Sequence, residues 1–153
     1  MRICANTLPQ IAEYARSGRV VVFDTETTGC SRYDEICQIA AVEYVNGVQT
    51  RTFNTYICPS CEMNPWAEGV HGLSLDFLAK HGLAPEEAMR QFFEFLGSDV
   101  LLVAHNNKFD IRMLDQECEK LASASRRTAS KHATRSRSPV ICARDWIAIR
   151  SQT

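Results

Sequence analysis

The order of apolar and polar positions divides the chain into short segments of two kinds. Arg19-Val-Val-Val-Phe-Asp24 is continuous, β-branched and too short for a helix, which predicts a buried strand. Ile36 to Val45 predicts a second strand and Val48 to Ile57 a third, joined through Asn46-Gly47, a strong hairpin signal. Thr7 to Gly18 reads as a short helix. Thr7 can cap it, Gln10 stands at the capping-box position, and Leu8, Ile11, Tyr14 and Ala15 form one stripe. Helical spacing returns over Ser74 to Lys80, and again from Pro85, where Met89, Phe92, Phe93 and Leu96 share a face until Gly97. Val100 to Ala104 is another short apolar strand. It feeds a helix from about Lys108 that turns Ile111, Leu114, Cys118 and Leu121 inward and Lys108, Arg112, Asp115 and Glu119 outward.

Residues 122–139 differ in kind, being Ala, Ser, Thr, Arg, Lys and one His up to Pro139, and are expected to form a flexible basic loop. Val140-Ile141-Cys142 resumes a strand, followed by a helical stub from Arg144. The sum is α/β: a single domain over 1–153, with an N-terminal helix (1–18), a core (19–121), the loop (122–139) and a last strand with its stub (140–153). The expected sheet is mixed, of about five strands flanked by helices. Its first three strands should be antiparallel and its later ones joined by helical crossovers.

A length of 153 residues with 45% apolar and 23% charged residues fits one soluble globular domain. No apolar run reaches the length of a membrane span, and Met1 to Asn6 lacks the stretch of a secretory signal, so a cytoplasmic protein with no membrane association is expected. The net charge of −1 conceals two halves: residues 1–119 carry 9 Lys+Arg against 17 Asp+Glu, whereas 120–153 carry 8 against 1. An acidic body with a basic end suggests that cations or a polyanion matter to it. Seven cysteines in such a chain favour reduced thiols. Cys58-Pro-Ser-Cys61 could be half of a zinc site or a redox pair, but no second pair with matching spacing exists.

The chemistry concentrates in Phe23-Asp-Thr-Glu-Thr-Thr-Gly29. Side chains alternate along a strand, so Asp24 and Glu26 project to one face and Thr25 to the other. Two such carboxylates repel each other unless a cation lies between them, and hard divalent ions prefer oxygen ligands. An arbitrary D-x-E is by default a pair of solvated acids; here the pair closes a buried strand. In Ala104-His-Asn-Asn-Lys-Phe-Asp110 a third acid enters the first turn of a helix, where it could simply complement the helix N-terminus. If the first and fourth strands are neighbours, Asp110 faces the first two acids, and three carboxylates make a two-cation site suited to phosphodiester hydrolysis.

These two stretches resemble the first and second motifs of the DEDD superfamily of 3′→5′ exonucleases, in the branch of the DNA polymerase III epsilon proofreading subunit. Ile36-Cys-Gln-Ile-Ala-Ala-Val42 resembles that family's second strand, and Gly69-Val-His-Gly-Leu73 its turn beside the nucleotide pocket. The resemblance implies a ribonuclease H-like fold and two ions, Mg2+ or Mn2+, held by Asp24, Glu26 and Asp110 as the catalytic acids. It also implies a single-stranded DNA or RNA 3′ end as substrate, contacted by Thr27 and His71, and a DNA polymerase subunit as a possible partner. Trp66 stands where the family has an acid touching the nucleotide; it either stacks on a base or packs in a loop. Phe109 reads as core, and His105 and Asn106 as residues that hold the strand-to-helix turn.

The family's third motif, H-x-A-x-x-D on a last helix, is not found. His132 is followed by Ala133-Thr-Arg-Ser-Arg137, and Asp145 has no histidine before it. On this reading the chain is a C-terminally truncated member that lacks the family's last helix, a metal ligand and the general base. Two functions therefore stay open: a metal-dependent exonuclease, or a catalytically impaired nucleic-acid-binding or polymerase-associated module. The basic loop either contacts phosphates or is a solvated insertion.

Overall fold

The computed structural model describes residues 18–131 apart from Asp99, together with 12, 13 and 16, and the side chains of 125–131 are left aside. The N-terminal stripe and the strand expected at Val140–Cys142 lie outside the described residues. Four strands form one sheet: β1 (Arg19–Thr27), β2 (Ile36–Val45), β3 (Val48–Tyr56) and β4 (Leu101–Val103), in the order β3-β2-β1-β4. The first three are antiparallel, and β4 pairs parallel to β1 with Val20 opposite Leu101 and Val22 opposite Val103. The hairpin turns at Asn46 (φ 52°) and Gly47 (φ 80°), the two left-handed positions that a type I′ turn needs.

Between β3 and β4 run α1 (Pro65–His71), α2 (Leu75–His81) and α3 (Pro85–Leu96); α4 (Asn107–Lys131) follows β4. The first of these corrects the expected turn at Gly69–Leu73. Asn64 caps a short helix by accepting from the Trp66 N–H, Pro65 opens it, and Gly72 closes it at φ 73°. The second correction concerns the basic segment: α4 continues to Lys131, so the first ten residues of the expected loop are helical. Ala, Arg and Lys are good helix formers, and a helix already nucleated on the sheet extends readily through them.

The core lies between one face of the sheet and helices α3 and α4. Val21, Phe23, Ile39 and Ala41 meet Met89, Phe92 and Leu96 from α3 and Met113, Leu114 and Cys118 from α4. Phe92 is fully buried and its ring lies 5.9 Å from Phe23 and 5.6 Å from Phe53. A Phe92→Ala change would cost about 3–5 kcal/mol. At one end of this face Arg19 donates to the Phe95 (2.9 Å), Leu96 and Ser98 (3.1 Å) carbonyls, supplying the C-terminus of α3 with the donors that a helix end lacks. At the other end, the pairing register slips between Glu26 and Thr27, a bulge that redirects the chain where the acids stand. Among the described residues no helix is long and apolar enough to cross a membrane.

Candidate active site

The parallel pairing of β1 and β4 meets the condition set by the sequence, because the helix that leaves β4 returns Asp110 beside β1. The Asn106 carbonyl accepts the N–H groups of Phe109 (2.8 Å) and Asp110 (3.1 Å), which starts α4 and fixes Asp110 in its first turn. Asp24 is exposed, Glu26 half-buried and Asp110 only 2% exposed. The orientation of Asp110 differs from the expectation. Its Oδ1 accepts from the Thr25 hydroxyl (2.7 Å) and the Thr25 N–H (3.2 Å). Thr25, predicted to point away from the acids, does so, and for that reason meets α4 on the core side and anchors the third carboxylate.

The three acids nevertheless share one electrostatic neighbourhood. Burial pushes the Glu26 carboxyl above its ordinary range; the His71 ring works against that shift, and the charges of Asp24 and Asp110 add to it. Asp110 is likewise pushed up, by burial first and by Asp24 as well, while its bonds from Thr25 oppose the shift. Burial, reinforced by Glu26, also drives the nearby Cys37 thiol up to about 12, so Cys37 stays protonated and inert near neutral pH.

Beside the acids lies a cleft of about 240 Å³, bounded by Glu26, Thr27, Trp66, Val70, His71 and Phe109. Trp66, on α1, is 70% exposed, so its indole is a free wall of the cleft rather than a packed loop residue. His71 Nδ1 accepts the Leu73 N–H (3.0 Å), which leaves its ring proton on Nε2, 3.2 Å from the Thr27 carbonyl that receives it. The Thr27 hydroxyl donates to the Gly29 carbonyl (2.7 Å). Phe109 packs against the core while also reaching the cleft. His105 is exposed at the start of the turn, and Asn106 acts there through its carbonyl.

The loop after β1 is pinned from several sides. Thr28 Oγ1 donates to Asp34 Oδ1 (3.0 Å), accepts the Glu35 N–H (3.0 Å) and lies 3.2 Å from Cys61 Sγ. Asp34 also accepts the Ser31 N–H (2.7 Å). A Cβ on Gly29 would come within 2.6 Å of the Asp34 carboxylate, so a side chain there would push that carboxylate from its place in the loop. The Cys58–Cys61 segment thus buttresses the loop: Ser60 donates from its N–H (2.6 Å) and hydroxyl (2.7 Å) to Glu35. The five described cysteines are free thiols.

An all-carboxylate donor set matches hard divalent cations. In the arrangement described, however, no three His, Cys, Asp or Glu side chains among the described residues are grouped closely enough to hold an ion. The donor chemistry fits such ions, whereas the carboxylates stand apart, as like charges do.

A mixed sheet with a parallel crossover and acids at the open end of the paired strands defines a nuclease-type α/β domain. The chain belongs to the RNase_T exonuclease family, whose sequence model matches residues 21–146, and it is of the DEDD type that the motifs resemble. It is 40% identical over 109 residues to the DNA polymerase III subunit epsilon of Rickettsia felis, a match covering 69% of this chain and 47% of that protein. Over 111 residues it is 34% identical to DNA polymerase III PolC-type of Caldanaerobacter subterraneus subsp. tengcongensis, covering 72% of the chain and 8% of that protein. The chain thus spans less than half of these curated relatives. Among solved structures, the fold matches E. coli exonuclease I in complex with a dT13 oligonucleotide at TM-score 0.63 and 16% identity, over 67% of this chain and 24% of that one. Exonuclease I from Methylocaldum szegediense matches at TM-score 0.57 and 22% identity, over 65% and 22%.

Proposed function

We propose that the chain hydrolyses nucleic acid from the 3′ end, releasing nucleoside monophosphates, with DNA as the substrate. The observation that carries this reading is the placement of Asp24 and Glu26 at the end of β1 and of Asp110, held by Thr25, in the first turn of α4, beside a cleft open to solvent. Support for DNA comes from the resemblance to polymerase III epsilon subunits and to an exonuclease I in complex with an oligonucleotide. The same resemblance makes a DNA polymerase subunit the expected protein partner.

Asp24, Glu26 and Asp110 would hold two divalent ions, Mg2+ or Mn2+. Such ions, when bound, stabilise the attacking and leaving oxygens of a phosphodiester. The chain's own residues prepare the rest. Thr25 holds the Asp110 carboxylate through two donors. His71, with both ring nitrogens engaged, fixes the Thr27 carbonyl at the cleft wall and is a positioning residue rather than a base. The exposed Trp66 indole offers a terminal base a stacking surface, an interaction worth about 1–3 kcal/mol.

A second reading, strand binding with impaired turnover, is favoured by one observation: among the described residues the acids stand too far apart for three of them to hold one ion. One assay separates the two. A 5′-labelled single strand incubated with Mn2+ should shorten stepwise, and EDTA or Asp24→Ala should abolish the shortening. Retention of an intact strand by a protein that binds it would establish the second reading, and cleavage surviving both treatments would overturn the first.

A further inference from the structure

We propose that the groove lined by Arg32, Lys108 and Arg112 carries the phosphate backbone of the strand whose 3′ terminus occupies the cleft. This proposal rests on the nucleic-acid reading above and extends it to the path of the upstream nucleotides. The groove has a volume of about 610 Å³ and runs along the first three turns of α4. It adjoins the cleft along the chain. Asn106 lines the cleft and Asn107 the groove. The Arg112 guanidinium donates to the Cys30 carbonyl (3.1 Å) and lies 5.2 Å from the centre of the Phe109 ring, and both Cys30 and Phe109 line the cleft.

The groove is electrically polar in the required sense. Its cations, Arg32, Lys108 and Arg112, stand at the end next to the cleft, while its acids, Asp115 and Glu119, lie further along α4. Lys108 and Arg112 are one helical turn apart and therefore share a face of α4. Arg32 and Arg112 are also presented rather than loosely placed. Arg32 lies over the Tyr33 ring at 4.7 Å and hydrogen-bonds its hydroxyl, on a loop already fixed by Asp34 and Gly29. Arg112 commits an N–H to Cys30, and its fork holds further donors of the geometry that phosphate oxygens accept. Ordering these side chains before the strand arrives lowers the entropy lost on binding. The acidic body that otherwise repels a polyanion makes this local reversal of sign the natural point of entry.

The test uses the full chain in EDTA, where no strand is consumed. Fluorescence anisotropy with labelled two-thymidine and ten-thymidine strands is followed across a series of KCl concentrations. Three proteins are compared: wild type, Arg32→Glu/Lys108→Glu, and Lys80→Glu, a charge reversal at an exposed position of α2 away from the groove. The double variant should weaken the ten-thymidine strand at least tenfold more than the two-thymidine strand. It should also flatten the salt slope by about 1.4, for two phosphate contacts of about 0.7 each. Lys80→Glu should follow wild type. An unchanged salt slope in the double variant, or an equal loss with Lys80→Glu, overturns the groove, as does a wild type that does not bind the longer strand. Binding with the predicted slope but no Mn2+-dependent cleavage removes the nuclease reading and leaves the groove standing.

Discussion

The Arg19 end of β1 holds one buried carboxylate and the Glu26 end neighbours three, and the two ends treat them in opposite ways. At the Arg19 end, Glu43 is 3% exposed and surrounded by donors: Arg51 Nη2 (2.6 Å) and Nε (2.8 Å), Thr50 Oγ1 (2.6 Å) and Arg19 Nε. The Arg51 guanidinium, with Thr50 and Arg19, holds the Glu43 carboxyl far below the usual range. At the Glu26 end, burial and like charges push Glu26 and Asp110 the other way. The first cluster is complete without any outside ion, and it ties three strands to the end of α3. The second has charge to give to a ligand. One strand thus joins a clamp to a site, and the stability of the clamp offsets the strain of the site.

The comparison can be broken from either end. The largest effect is expected at the acids: Asp24→Ala should lower kcat/KM for strand shortening with Mn2+ by at least 10³-fold, about 4 kcal/mol of transition-state stabilisation, read from nucleotide release. Next is the clamp, where Glu43→Ala leaves two guanidinium groups without their carboxylate. Stability should fall by about 3 kcal/mol, seen as a lower urea midpoint with an unchanged slope. Third, millimolar Mn2+ should raise the Tm of the wild type by about 5 °C, and Glu26→Gln should remove that gain.

The smallest effect sharpens the contrast through its pH dependence. Because the folded-state pKa of Glu26 is raised above the ordinary 4.5, its favourable contribution is full below that value and is lost as pH rises through the folded pKa. Without metal, Glu26→Gln should therefore raise Tm by about 2 °C at pH 7 and by nothing at pH 4. Glu43 has the opposite sign: its contribution is present above 4.5 and declines as pH falls through its lowered folded pKa. A variant whose gain is the same at both pH values would show that Glu26 pays no electrostatic cost at this site.

What could be read beforehand was whatever rests on local pattern. The hairpin followed from Asn46-Gly47 and α3 from its apolar face, whereas the pairing of β1 with β4 stood only as a condition, which the structure meets. What escaped depends on partners distant in sequence. Glu43 looks like any strand acid until Arg19, 24 positions away, and Arg51, 8 positions away, fold onto it. Thr25 looks like a spacer between two acids until α4 arrives over the other face. Helix α1 escaped because only Ala67 in it is buried, which leaves no stripe to detect, although Asn64, Pro65 and Gly72 marked both ends. In the basic segment the absence of an apolar stripe hides a helix, because helix continuation needs only residues that do not resist it.

The bond between Thr25 and Asp110 joins positions 85 residues apart. A ribosome adding about 5–20 residues per second delivers the third acid roughly 4–17 s after the first two. Over that interval the emerging chain holds two carboxylates on an unfinished sheet and no assembled cluster. Thr25 therefore gains its α4 partner only once the segment through β4 and the first turn of α4 has been made and has folded onto β1.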